Sequence, residues 1–95
     1  MTSLFTPTAL GSAELANRLV MAPLTRIRSD ENGVPTDDVV EYYRQRASMG
    51  LIVTEGTWPV GEGRTWLGQP GIEGEEHIAG WKRVTDAVHA AGDRG

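Results

Sequence analysis

Two short, unbroken apolar runs and two stretches of helical periodicity organise this chain. Leu19-Val20-Met21-Ala22 reads as a buried β-strand, because strands covered on both faces appear as continuous apolar runs. Pro23 has no N–H and cannot extend a central ladder, so pairing is expected to stop there. Thr25 and Arg26 then fall just past the strand's C-terminal end, where α/β folds place their chemistry, although the pattern alone favours an ordinary polar loop in which Thr25 caps a turn. Leu51-Ile52-Val53 is a second such run, and it leads into the polar Thr54-Glu55-Gly56-Thr57.

Between the runs a helix is expected from Thr36, an N-cap following Pro35, with Asp37 and Asp38 in its first turn. Val39, Tyr43 and Ala47 recur at i, i+4 and i+8 and form one buried stripe. Gly50 suits the C′ position of that helix. Strand, helix and strand make a βαβ unit. The clearest helix runs from about Glu75 to Ala91. Ile78, Trp81, Val84 and Val88, joined by Ala87 and Ala91, mark its buried face, and Gly92 suits its C′ position. Residues 1 to 17 read as a lead-in, in which Gly11-Ser12 could close a short hairpin. A third strand is called for near Asp93-Arg94-Gly95. The order β-α-β-α without it leaves two strands unable to build a covered sheet, so the 95 residues read as a piece of a larger α/β protein.

Composition narrows the class. Nine basic against thirteen acidic residues give a net charge of −4, which argues against a nucleic-acid or anionic-membrane surface. The absence of cysteine rules out disulfides and thiolate chemistry and fits a reducing, cytoplasmic setting. No apolar run approaches the roughly 20 residues of a membrane span. The N-terminal segment has neither the basic nor the apolar region of a signal peptide.

Candidate chemistry is sparse. Glu55 follows a strand directly, and the expectation is a structural ion pair with Arg18, Arg26 or Arg28 rather than a general acid. His77 and His89 lie twelve apart without i,i+4 partners, so both are expected to be solvated helix residues and no metal site is expected. Six of the twelve glycines fall between Gly56 and Gly74, with Trp58 and Trp66 among them. A long loop of this kind after a strand is more often functional than idle. It is neither a dinucleotide fingerprint, since Trp66 stands where the third glycine would be, nor a P-loop. Trp66 could wall a planar ligand or pack on its own loop.

Several segments carry a family resemblance. They include Leu4-Phe5-Thr6-Pro7, Asn17-Arg18, Met21-Ala22-Pro23-Leu24-Thr25-Arg26 and Gly33-Val34-Pro35-Thr36. Glu41-Tyr42-Tyr43-Arg44-Gln45-Arg46-Ala47-Ser48, Gly50 to Thr57, Pro70-Gly71-Ile72 and the final helix from Gly80-Trp81-Lys82 to His89-Ala90 agree as well. Together they resemble the Old Yellow Enzyme family, nearest its N-ethylmaleimide reductase-like branch, along essentially the whole chain. The resemblance implies the cap hairpin and first two β/α units of a (β/α)₈ TIM barrel, with residues 1–95 a part of its FMN-binding domain. It also implies non-covalent FMN, NADPH as reductant and a small activated alkene, such as an enone or a maleimide, as substrate. By position, Pro23, Leu24 and Thr25 would line the flavin ring, with the Thr25 hydroxyl on its C4 carbonyl oxygen. The Gly56 backbone would contact the ring, and Trp66 would wall the substrate pocket. The family's catalytic residues match no position in this sequence, so the 95 residues alone are expected to be inactive. The alternatives are a fragment that holds no FMN, and a different flavin barrel such as a dienoyl-CoA reductase.

Overall fold

A computed structural model describes residues 3–92. Residues 93–95, where the β/α rhythm calls for a third strand, lie outside the described residues. The chain opens with an antiparallel hairpin, β1 (Thr8–Leu10) and β2 (Ala13–Leu15), in register Thr8↔Leu15 to Leu10↔Ala13. Gly11, the first of its two turn residues, has φ 60°, a conformation that suits glycine. Both apolar runs are strands, β3 (Val20–Met21) and β4 (Leu51–Ile52), paired in parallel. The N–H of Leu51 donates to the Leu19 carbonyl and that of Val53 to the Met21 carbonyl, so the backbones run together slightly past the strands.

The helices are α1 (Asp37–Arg44) and α2 (Glu75–Ala91), packed on one another and on one face of the strand pair. Met21, Val39, Tyr43, Trp81 and Val84 form the core, with Ile52 and Val88 partly buried against it. Burial of each large apolar side chain contributes about 1.5–3 kcal/mol. Tyr43 and Trp81 meet at 6.1 Å between ring centroids. The helices cover only that face. On the other, Val20 is 52% and Val53 41% exposed, so the two-sided coverage implied by the apolar runs is not present among the described residues. Neither helix is long and apolar enough to cross a membrane.

Four local expectations need correction. Helix α1 ends at Arg44, one turn before the stripe residue Ala47, and i→i−3 bonds from Arg46, Ala47 and Met49 carry the chain onward. Gly50 therefore caps no helix. It lies against Asn17, whose carbonyl oxygen occupies the space a Cβ would need, and its N–H donates to Asn17 Oδ1 (2.8 Å). Thr36 is the N-cap of α1, but its hydroxyl donates to the Arg28 carbonyl (2.6 Å) instead of capping. On α2 the buried face is His77, Gly80, Trp81 and Val84, while Ile78 is 58% exposed. Ile78 is about 100° around the helix from His77, and the tight approach of Gly80 to Pro35 decides which side faces in.

Candidate functional site

The C-terminal ends of β3 and β4 release two segments side by side, Pro23 to Arg28 and Val53 to Thr57. Glu55 ties them together. It is 2% exposed, its Oε2 accepts from the Tyr43 hydroxyl (2.9 Å) and its Oε1 from the Arg26 N–H (3.4 Å). The Glu55 N–H in turn donates to the Tyr43 hydroxyl oxygen (3.0 Å). The expected ion pair with Arg18, Arg26 or Arg28 is not formed among the described residues. The phenol replaces it because Tyr43 lies on the buried stripe of α1, whereas the three arginine side chains are exposed. Burial pushes the Tyr43 phenol well above the usual tyrosine range, and the charge of Glu55 beside it adds to the shift.

At these ends Pro23, Leu24 and Gly56 are exposed and Thr25 is partly so. The Thr25 hydroxyl holds no hydrogen bond among the described residues; only its carbonyl is engaged, by Arg26 Nε (3.1 Å). A Cβ at Gly56 would meet only Gln69 Nε2, at 3.7 Å. The result is an apolar platform with one hydroxyl and one open glycine backbone. It fits the edge and face of a planar ring such as a flavin's.

The Gly/Trp loop folds back onto these ends. Trp58 is buried, bridges in parallel to Gly71, and donates its indole N–H to the Gln69 carbonyl (3.0 Å). Gln69 is also buried, and its Oε1 accepts from the N–H of Thr65 (2.9 Å) and of Trp66 (3.5 Å). Gly68 lies directly on Ile27, and the Ser29 N–H donates to the Gly68 carbonyl (2.9 Å). Trp66 is 54% exposed on this turn, so it does not serve as the packed centre of its own loop.

His77 is buried, not solvated as expected. Its Nδ1 accepts from the N–H of Glu73 (3.2 Å) and Gly74 (2.9 Å), and its Nε2 lies 2.8 Å from the Asn32 carbonyl. Two donors on one nitrogen and an acceptor on the other select the neutral tautomer with the proton on Nε2. The ring also meets Trp58 edge-on at 4.9 Å. His89 is exposed as expected, and no group of residues among those described could hold a metal. Gln69 and Ile27 were not legible as site residues. The only signal for Gln69 is an amide flanked by glycine and proline, and Ile27 reads as an ordinary loop residue.

Known proteins agree with this architecture. Residues 3–94 match the family described as NADH:flavin oxidoreductase / NADH oxidase. A probable flavin mononucleotide-dependent alkene reductase of Leishmania infantum is 50% identical over 86 residues, which is 90% of this chain and 24% of that protein. The solved structure of morphinone reductase in complex with tetrahydroNAD superposes with a TM-score of 0.90 at 47% identity, covering 96% of this chain and 25% of that one. An Old Yellow Enzyme homologue from Zymomonas mobilis superposes at 0.89 with 46% identity, covering 95% and 25%. The chain thus spans about a quarter of the length of these relatives. With the family match running over nearly all its residues and the fold shared throughout, the chain belongs to the NADH:flavin oxidoreductase family of Old Yellow Enzyme-type flavoproteins and holds two β/α units and the hairpin of that barrel.

Proposed function

We propose that residues 1–95 are the first part of the FMN-binding barrel domain of an NADPH-dependent alkene reductase acting in the cytoplasm. The observation that carries this reading is the platform at the ends of β3 and β4, where apolar surface, one unengaged hydroxyl and an open glycine backbone stand beside a turn presenting Trp66. When bound, FMN supplies hydride transfer from a nicotinamide to an alkene conjugated to an electron-withdrawing group. Pro23 and Leu24 cover part of the ring, and Gly56 lets it approach the backbone. The Thr25 hydroxyl donates to the ring's carbonyl edge, where charge grows on reduction. Trp66 walls the face on which enone or maleimide substrates lie.

The full-length protein carrying these residues tests the reading directly. Purified from cells grown with riboflavin, it should be yellow, release FMN on denaturation, and oxidise NADPH in the presence of 2-cyclohexenone or N-ethylmaleimide. A colourless protein that takes up no FMN would sink the proposal. An equally fast reaction with NADH would overturn the coenzyme preference alone. An iron–sulfur absorbance accompanying the flavin would instead indicate a dienoyl-CoA reductase-like protein.

A further inference from the structure

Ile27 is the one non-glycine residue among those described with a positive φ, 57°. A β-branched side chain is strained in the left-handed region, and such a conformation persists only where the surroundings over-determine it. Here the surroundings are Gly68. That residue has φ 86°, and a Cβ on it would stand 2.7 Å from Ile27 Cγ2 and 2.9 Å from the Ile27 carbonyl oxygen. The two backbones therefore touch without an intervening side chain, and the bond from Ser29 N–H to the Gly68 carbonyl closes the contact (2.9 Å). Thr25 lies two residues before this contact on one side, and Trp66 two residues before it on the other.

Each flank is tied in turn. On the Thr25 side, the Arg26 N–H is held by the buried carboxylate of Glu55 (3.4 Å). On the Trp66 side, Gln69 N–H donates to the Trp66 carbonyl (3.2 Å), while Gln69 Oε1 accepts from Thr65 and Trp66. The Gln69 carbonyl holds the Trp58 indole N–H (3.0 Å), which anchors the turn to the core of the loop. A set of contacts thus runs from the end of β3 to the backbone of Trp66, the residue that carries the half-exposed indole.

We propose that Ile27, Gly68 and Gln69 are positioning residues: they clamp the Trp66 turn onto the end of β3 and set the height of the indole above the Thr25–Gly56 platform. The clamp makes the site a slot selective for thin, planar substrates, and it accounts for a strained isoleucine and a buried glutamine on a glycine-rich loop. The proposal rests on the reading of Trp66 as a substrate wall.

The test uses the flavin-loaded full-length protein. Gln69→Ala removes the acceptor that holds the Thr65 and Trp66 amides and leaves the platform residues Pro23, Leu24, Thr25 and Gly56 themselves unsubstituted. The KM for 2-cyclohexenone should rise about tenfold, consistent with one lost hydrogen-bonding group, with kcat within about threefold and flavin content unchanged. Gly68→Ala, which forces the Ile27 contact apart, should give the same split. The decisive comparison is on a Trp66→Ala background, where Gln69→Ala should change KM by less than about twofold because it acts through the indole. An unchanged KM in Gln69→Ala, or a full effect in the absence of the indole, would overturn the clamp. If Gly68→Ala fails to fold, the Gln69 series decides alone. Amide exchange separates this outcome from failure of the flavin reading, since Thr65 and Trp66 should exchange about tenfold faster in Gln69→Ala whether or not FMN is bound. Unaltered exchange there overturns the clamp independently.

Discussion

Tyr43 joins the core to the candidate site. Its ring packs with Val39 and Trp81, and its hydroxyl both donates to and accepts from Glu55, which holds the backbone beyond Thr25. Tyr43→Phe should keep the packing but leave a buried carboxylate and a buried N–H short of partners. The expected loss is about 2 kcal/mol in urea unfolding of the full-length protein, the range for a hydrogen bond to a charged group. The raised phenol pKa gives a second signature. Because the folded state holds the proton more tightly, its contribution is complete below the unfolded tyrosine value of about 10 and is lost as pH rises beyond it. Wild type should therefore lose stability above about pH 10, and Tyr43→Phe should lose measurably less over the same interval. Thr25 behaves differently, since its hydroxyl is not engaged by the fold. Thr25→Ala should retain FMN and stability but slow flavin reduction by NADPH about tenfold or more in stopped-flow absorbance. An unchanged rate would refute its assignment. None of these bonds is visible in the residues taken singly. Glu55 invites an arginine partner, and only the fold brings a tyrosine twelve residues away to it.

Among the elements, α2 was legible almost to the residue, from Glu75 to Ala91, because acidic residues, periodicity and a closing glycine agree along one short stretch. Its rotation was not legible. Gly80 packs on the segment before α1, where a Cβ would stand 2.7 Å from Pro35 Cδ and 3.0 Å from Val34 Cγ1. That contact turns His77 inward and Ile78 outward, against the simplest reading of the apolar pattern. It also sets two effects against each other in Gly80→Ala. Helix propensity favours alanine by about 1 kcal/mol, whereas overpacking against a rigid proline ring costs about 1–3 kcal/mol. The clash should win, so the full-length variant should be less stable by about 1 kcal/mol in chemical denaturation. A more stable variant would show that the two segments can separate freely. Helix α1 shows the opposite limit. Its start was visible at Pro35-Thr36, but Gly50 looked like its end and is instead a close-packing glycine beside Asn17. A glycine has the same letter whether it stops a helix or lets another backbone approach.

For the whole molecule, the described chain is elongated. Its extents are 47 × 22 × 22 Å and its radius of gyration is 14.4 Å, against about 12 Å for a compact domain of this length. Val20, Leu24 and Val53 stand exposed on and beyond the uncovered side of the strand pair. The 95 residues in isolation should therefore bind a hydrophobic dye such as ANS, melt over a broad range with partial helical circular dichroism, and take up no FMN. A sharp two-state melt would show that this piece is an independent domain.

Local pattern determined the hairpin, the two strands, the start of α1 and nearly all of α2, since each is encoded by propensity and periodicity within a few residues. Pattern also marked the segments after the two strands and the Gly/Trp loop as candidate places for chemistry, and the family likeness assigned Thr25, Gly56 and Trp66 there to a flavin site. Only the tertiary structure decided what holds those residues in place. The Tyr43–Glu55 pair, the buried His77, the Asn17–Gly50 approach and the Ile27–Gly68 contact join positions 12 to 45 residues apart. Such contacts depend on which faces meet after the elements pack, and no window of sequence contains that information.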